Sequence, residues 1–157
     1  MFKKILIPID GSQSAHNALL KGLEIAKIHG SKVEILHVTT FSEEYIPDMS
    51  VNENSFPRES ATPIDWITEY MENIRQNNEN MLDRTLEYAN IFAPNITITT
   101  KLLTGRAAEN ILIEAEEGKF DLIVIGCRGL GGFKELVLGS VSHSVVNGSK
   151  IPVLIVK

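Results

Sequence analysis

The chain has 157 residues, 43% of them hydrophobic and 22% charged. That ordinary globular balance excludes disordered and fibrous classes and fits one domain over 1–157. Fifteen Lys and Arg face 20 Asp and Glu, a net charge of −5 with no basic block, which argues against coating nucleic acid or an anionic membrane.

A single cysteine, Cys127, excludes an internal disulfide and a cysteine-built zinc site. No run reaches the roughly 18 apolar residues of a membrane helix. Met1-Phe2-Lys3-Lys4 mimics the head of a signal peptide, but Ile5 to Ile9 is too short for its apolar region and ends at Asp10. The expected compartment is the cytoplasm. His16, His29, His37 and His143 lack metal-ligand spacing, so packing or surface roles are expected for them.

Lys4-Ile5-Leu6-Ile7-Pro8-Ile9 is apolar without alternation, the pattern of a strand buried on both faces. Asp10-Gly11-Ser12 breaks it and supplies a cap. Ala15, Ala18, Leu19, Gly22, Leu23 and Ala26 then repeat at helical spacing up to Gly30. Lys32 to Val38 reads as a second strand. From Thr39 to Thr62 the chain is polar and broken by prolines and asparagines, a long excursion of the functional or mobile kind. Thr62-Pro63-Ile64-Asp65 looks like a helix start. Ile67, Met71, Ile74, Met81, Leu82, Leu86 and Ala89 continue that helix as a core-facing stripe, weakened at Gln76-Asn77-Asn78.

Asn95 to Thr100 alternates and predicts a third strand with a wetter face, at an edge. Ala107 to Ala115 predicts a helix closed by Gly118. Asp121 to Ile125 predicts a fourth strand, followed by the glycine-rich turn Gly126 to Gly132. A last helix begins near Ser140, and Pro152 to Val156 forms a fifth strand. Alternating strands and helices imply a layered α/β protein with a parallel sheet.

Gly126-Cys127-Arg128-Gly129, nine residues, then Gly139-Ser140 spans a strand end and a helix start. Such a junction binds anions, because the first helical amides lack intrahelical partners and the helix dipole adds positive charge. Glycines allow close backbone approach and positive φ. Ser140 can cap the helix or donate to a phosphate, and Arg128 and Lys134 can add positive charge. The same glycines can also serve only a tight turn. A Walker A loop is absent, since Gly118-Lys119 is followed by Phe120. Gly129-Leu130-Gly131 lacks the third glycine of a dinucleotide fingerprint, where Lys134 stands. Asp10, directly after the first strand, can accept ribose hydroxyls at a switch point facing Gly126, or can cap the first helix. Cys127, near a helix N-terminus and Arg128, admits a redox reading, though a lone cysteine in a small turn is ordinarily inert.

Ile7-Pro8-Ile9-Asp10-Gly11-Ser12, Leu36-His37-Val38, the complete G-x₂-G-x₉-G-[ST] pattern and the terminal Pro-Val-Leu-Ile-Val resemble the universal stress protein family, in its ATP-binding branch. The resemblance covers essentially the whole chain. It implies one three-layer α/β/α domain with a five-stranded parallel sheet of order 3-2-1-4-5, similar to the adenine nucleotide alpha hydrolase fold. It also implies ATP with Mg²⁺ or Mn²⁺ held mainly by the phosphates, between strands one and four. Asp10 would hold the ribose, and the backbone around Pro8, Ile9 and Val38 the adenine. Gly126, Arg128, Gly129, Gly139, Ser140, Val141 and Ser142 would surround the phosphates. A homodimer through strand 152–156 is implied as well. The expected function is an ATP-binding stress-response switch with no assigned catalytic residue. The alternatives are a slow ATP-hydrolysing or phosphoryl- or nucleotidyl-transferring enzyme, and a dimeric interaction module without nucleotide.

Overall fold

Strand β1, Lys4–Ile9, is buried from Ile5 onward, as its unbroken apolar run requires. Helix α1, Gln13–His29, starts at Ser12, whose side chain accepts the Ala15 amide, and stops at Gly30 with φ 64°, a left-handed cap that glycine adopts without Cβ strain. Strand β2 is Lys32–Thr39, and helix α2 is Pro63–Phe92. Strand β3 is Ile98–Thr104, α3 is Ala107–Glu117 and β4 is Leu122–Gly126. Helix α4, Ser140–Gly148, and strand β5, Val153–Val156, follow. This computed structural model describes residues 2–40, 63–129 and 138–157. Most of the predicted excursion 39–62, and Gly131, Gly132 and Lys134, lie outside the described residues.

The five strands form one parallel sheet of order β3-β2-β1-β4-β5. Side-chain alternation divides the core in two. Ile5, Ile7, Val33, Ile35 and Val124 face α1 and α2, where they meet Leu19, Leu23, Leu82 and Ala89. Leu6, Leu36, Val38, Ile123 and Ile125 face α3 and α4, where they meet Ile111, Ala115 and Val145. Helices therefore cover both faces, as parallel strands need.

Two expectations are corrected. The third strand lies over Ile98–Thr104 instead of Asn95 to Thr100. Ala93 to Thr97 is spent on leaving α2, with the Ile96 amide on the Ala93 carbonyl. Pairing then runs on to Thr39↔Thr104. Lys101 is tolerated inside the strand because its ammonium meets Glu114 at 2.5 Å. In α2, burial is concentrated in the later turns: Leu82 and Ala89 are buried, whereas Met71 is 39% exposed. The polar stretch at Asn78 fastens the helix, donating to Thr39 Oγ1 at 2.7 Å.

Candidate functional site

The β1–β4 ladder registers Ile5↔Leu122 and Leu6↔Ile123, although β1 continues to Ile9 and β4 to Gly126. The two strands part over their last residues, and a cavity of about 880 Å³ opens there. The chain after β1 goes to one face of the sheet as α1, and the chain after β4 reaches the other as α4. Ligands of open α/β sheets gather at such a reversal. One end of the cavity is apolar, walled by Pro8, Leu36, Val38, Ala107, Ile111 and Ile125. Its other end is backbone-rich, formed by Gly126, Arg128, Gly129 and residues 138–142, with Asp10 between.

The backbone around Gly126 is tied down on every side. The Cys127 amide donates to Val156 O at 2.6 Å, and the Cys127 carbonyl accepts the Gly139 amide at 2.8 Å. Ser142 Oγ lies 2.9 Å from both Cys127 O and Gly139 O. Both backbone polar groups of Arg128 meet the first turn of α1: its amide donates to Ser14 Oγ at 3.4 Å, and its carbonyl accepts from Ser14 and Ser12. A Cβ on Gly126 would stand 2.7 Å from the Ser14 backbone carbon, so only glycine lets strand and helix approach this closely. Among the described glycines, positive φ occurs at Gly11, Gly30 and Gly105. The expected left-handed conformation is therefore not what Gly126, Gly129 and Gly139 supply. They supply room.

Helix α4 begins at Gly139, which has extended φ and ψ and provides no side-chain cap. Ser140 is the first helical residue rather than the cap, a correction to one of its two expected roles. The amides at 140–142 open the helix where no intrahelical acceptor reaches them. The Gly139 amide is already committed to Cys127. Asp10 Oδ1 accepts the Ser12 amide at 3.0 Å, so Asp10 shapes the turn ahead of α1 while Ser12 caps it. Its other oxygen, Oδ2, lies against Gly129.

All eleven residues singled out in the sequence line this cavity: Pro8, Ile9, Asp10, Val38, Gly126, Arg128, Gly129, Gly139, Ser140, Val141 and Ser142. Sequence reasoning missed Ala15, Leu36, Ala107, Ile111, Ile125 and Leu138 on the same wall. Five of them carry helical or strand periodicity, which marks core and cavity wall alike, and Leu138 falls between the predicted turn and helix with no such signal. Among the described lining residues Asp10 and Arg128 are the charged ones. No three His, Cys, Asp or Glu side chains converge as a metal site among the described residues. The histidines are dispersed: His37 Nδ1 meets Ile9 O at 2.8 Å, His16 packs on Tyr88, and His29 on Phe2. Among the described residues no helix is long and apolar enough to cross a membrane.

A parallel sheet with a crevice beyond the strand ends, at the reversal of its connections, defines the doubly wound α/β class, whose ligands gather at such a crevice. The sequence pattern of the universal stress protein family spans residues 1–157, and the chain belongs to that family. It is 34% identical to universal stress protein YxiE of Bacillus subtilis, with each chain covered in full. It is 31% identical to universal stress protein MJ0531 of Methanocaldococcus jannaschii, covering 100% of this chain and 83% of the relative. Among solved structures it superposes on protein MJ0577 with a TM-score of 0.80 at 26% identity, over 100% of this chain and 96% of the other. The fold is shared with a universal stress protein solved in complex with cAMP (TM-score 0.66, 22% identity, 99% and 97% covered). It is shared also with the Archaeoglobus fulgidus protein solved with dAMP (TM-score 0.65, 18% identity, 99% and 98% covered).

Proposed function

We propose that this universal stress protein binds ATP, with Mg²⁺ or Mn²⁺, in the crevice between β1 and β4 and acts as a nucleotide-dependent regulatory switch in the cytoplasm. One observation carries the reading: the uncapped first turn of α4 opens into the backbone-lined end of a cavity whose other end is apolar. Anions are stabilised by unpartnered helical amides, and a flat base is stabilised by aliphatic walls. The complete G-x₂-G-x₉-G-[ST] pattern falls on that end. Relatives of this fold solved with cAMP and with dAMP support an adenine nucleotide.

The geometry supports the following residue roles within this reading. The β1–β2 ladder ends at Ile9↔His37, so the Val38 carbonyl, turned toward β1 by alternation, lies past the last rung. It is placed to accept an exocyclic amine, with Pro8 and Ile9 beneath the base. Asp10 Oδ2 takes a ribose hydroxyl. The amides of Gly129, Ser140 and Val141 and the Ser140 hydroxyl take the phosphates, with Arg128 adding charge. Asp10 is the one carboxylate among the described lining residues. This donor set fits a divalent ion that arrives on the triphosphate and is held mainly by it.

Binding is favoured over turnover. Phosphoryl transfer needs charge neutralisation and a positioned nucleophile, and the described lining offers one cationic side chain, Arg128. Calorimetry with ATP and Mg²⁺ tests the reading. Micromolar affinity is expected, about −8 kcal/mol at a Kd near 1 μM. No heat and no thermal protection at millimolar ATP would overturn it.

A further inference from the structure

We propose that Ser14 is a positioning residue for the phosphate end of the crevice, a role that rests on the nucleotide reading above. Ser14 lies outside the cavity wall, yet its hydroxyl meets the amide and the carbonyl of Arg128, one on each side of that α-carbon. Ser12 Oγ lies 3.3 Å from the same carbonyl and 3.4 Å from Ser14 Oγ. The Arg128 carbonyl thus sits against the first turn of α1, where the helix dipole favours partial negative charge.

The consequence falls on the next residue. A trans peptide is planar, so its C=O and N–H point in opposite directions. Holding the Arg128 carbonyl on α1 turns the Gly129 amide away from α1, the orientation that an anion beside Gly129 needs. The loop has little freedom to choose otherwise, because Cys127 on one side is bonded to Val156, Gly139 and Ser142. Gly126 packs directly on the Ser14 backbone, which makes the reach of one short hydroxyl sufficient. Preset donors of this kind bind without reorganising when the ligand arrives.

The test compares ligands that do and do not use the phosphate end. Ser14→Ala in the full chain should weaken ATP about tenfold, the scale of one charge-assisted hydrogen bond, and leave adenosine unchanged in an NMR titration. The Gly129 amide resonance should move in the ligand-free variant. Ser14→Thr, which keeps the hydroxyl, should recover most of the ATP affinity. Equal weakening of ATP and adenosine, or an Ala variant that binds ATP like the parent, would overturn the role of Ser14. A parent that binds neither ligand would instead overturn the nucleotide reading.

Discussion

The carboxylate of Asp10 occupies the space where a side chain on Gly129 would begin. A Cβ built on Gly129 falls 2.5 Å from Asp10 Oδ2, inside van der Waals contact. Two loops that follow different strands, more than a hundred residues apart, are thereby held together by the absence of one methyl group.

Gly129→Ala should therefore move Asp10 or the loop. We expect a loss of about 1–3 kcal/mol of stability, the usual range for overpacking, and markedly weaker ATP binding with the fold retained. In an Asp10→Ala background the same substitution should cost less, because the atom it meets is gone. Urea denaturation of the four proteins measures the coupling, which should reach at least about 0.5 kcal/mol for residues in contact. Strictly additive losses would show that the methyl strikes something else.

Much of this arrangement was legible in the sequence. Buried parallel strands announce themselves by unbroken apolar runs, so β1 and β4 could be placed from Ile5 to Ile9 and Leu122 to Ile125. The glycine spacing marked both ends of the connection between β4 and α4. What periodicity does not carry is partner choice. Nothing in it pairs Lys101 of β3 with Glu114 of α3. Nor does it place the Ser14 hydroxyl on the backbone of Arg128. Ile111 and Ala107 carry the same helical spacing whether they face a sheet or a cavity.

Glu34 of β2 lies beneath α3, and its Oε1 is buried without a hydrogen-bond partner among the described residues. Burial, then the neighbouring Glu114, raises its carboxyl above the ordinary 4.5, while Lys4 and Lys101 pull the other way. A group raised on folding stabilises fully below its unfolded pKa, and that contribution is lost as pH rises through the folded value. Ionised Glu34 therefore opposes folding at neutral pH. Glu34→Gln should raise Tm near about pH 7.5, with the advantage shrinking toward about pH 4 as the parent carboxyl protonates. A gain that is the same at both pH values would point to packing instead.

Lys119 is the non-glycine residue with positive φ among those described, at 52°, in the turn between α3 and β4. The left-handed region costs an L-residue about 1–2 kcal/mol. Lys119→Gly relieves that strain but enlarges the unfolded ensemble, so a net gain of about 0.5–1 kcal/mol is expected. Thermal unfolding measures it, and a loss would mean that the exposed lysine side chain contributes more than its backbone costs.

Strand β5 is the edge of the sheet beside β4, and its two sides have different duties. The Pro152 carbonyl accepts the Ile123 amide at 3.0 Å, and the Val156 carbonyl accepts the Cys127 amide at 2.6 Å. Those residues face β4, so alternation turns the amides of Val153 and Ile155 outward, along the open edge. Leu154 is 36% exposed there, and Val141 and Val146 of α4 are exposed as well. An apolar edge with free donors invites pairing with another chain. A two-fold axis lets two copies pair it antiparallel in a closed, self-complementary seam. The homodimer we propose is built this way, and it makes Val153→Pro an informative change. Proline removes an outward amide, leaves the bonds to β4 in place, and is tolerated at the first position of a strand. Light scattering at micromolar concentration should find the parent as a dimer and the variant as a monomer, with circular dichroism unchanged. A monomeric parent, or a variant that dimerises as well as the parent, would place the seam elsewhere or remove it.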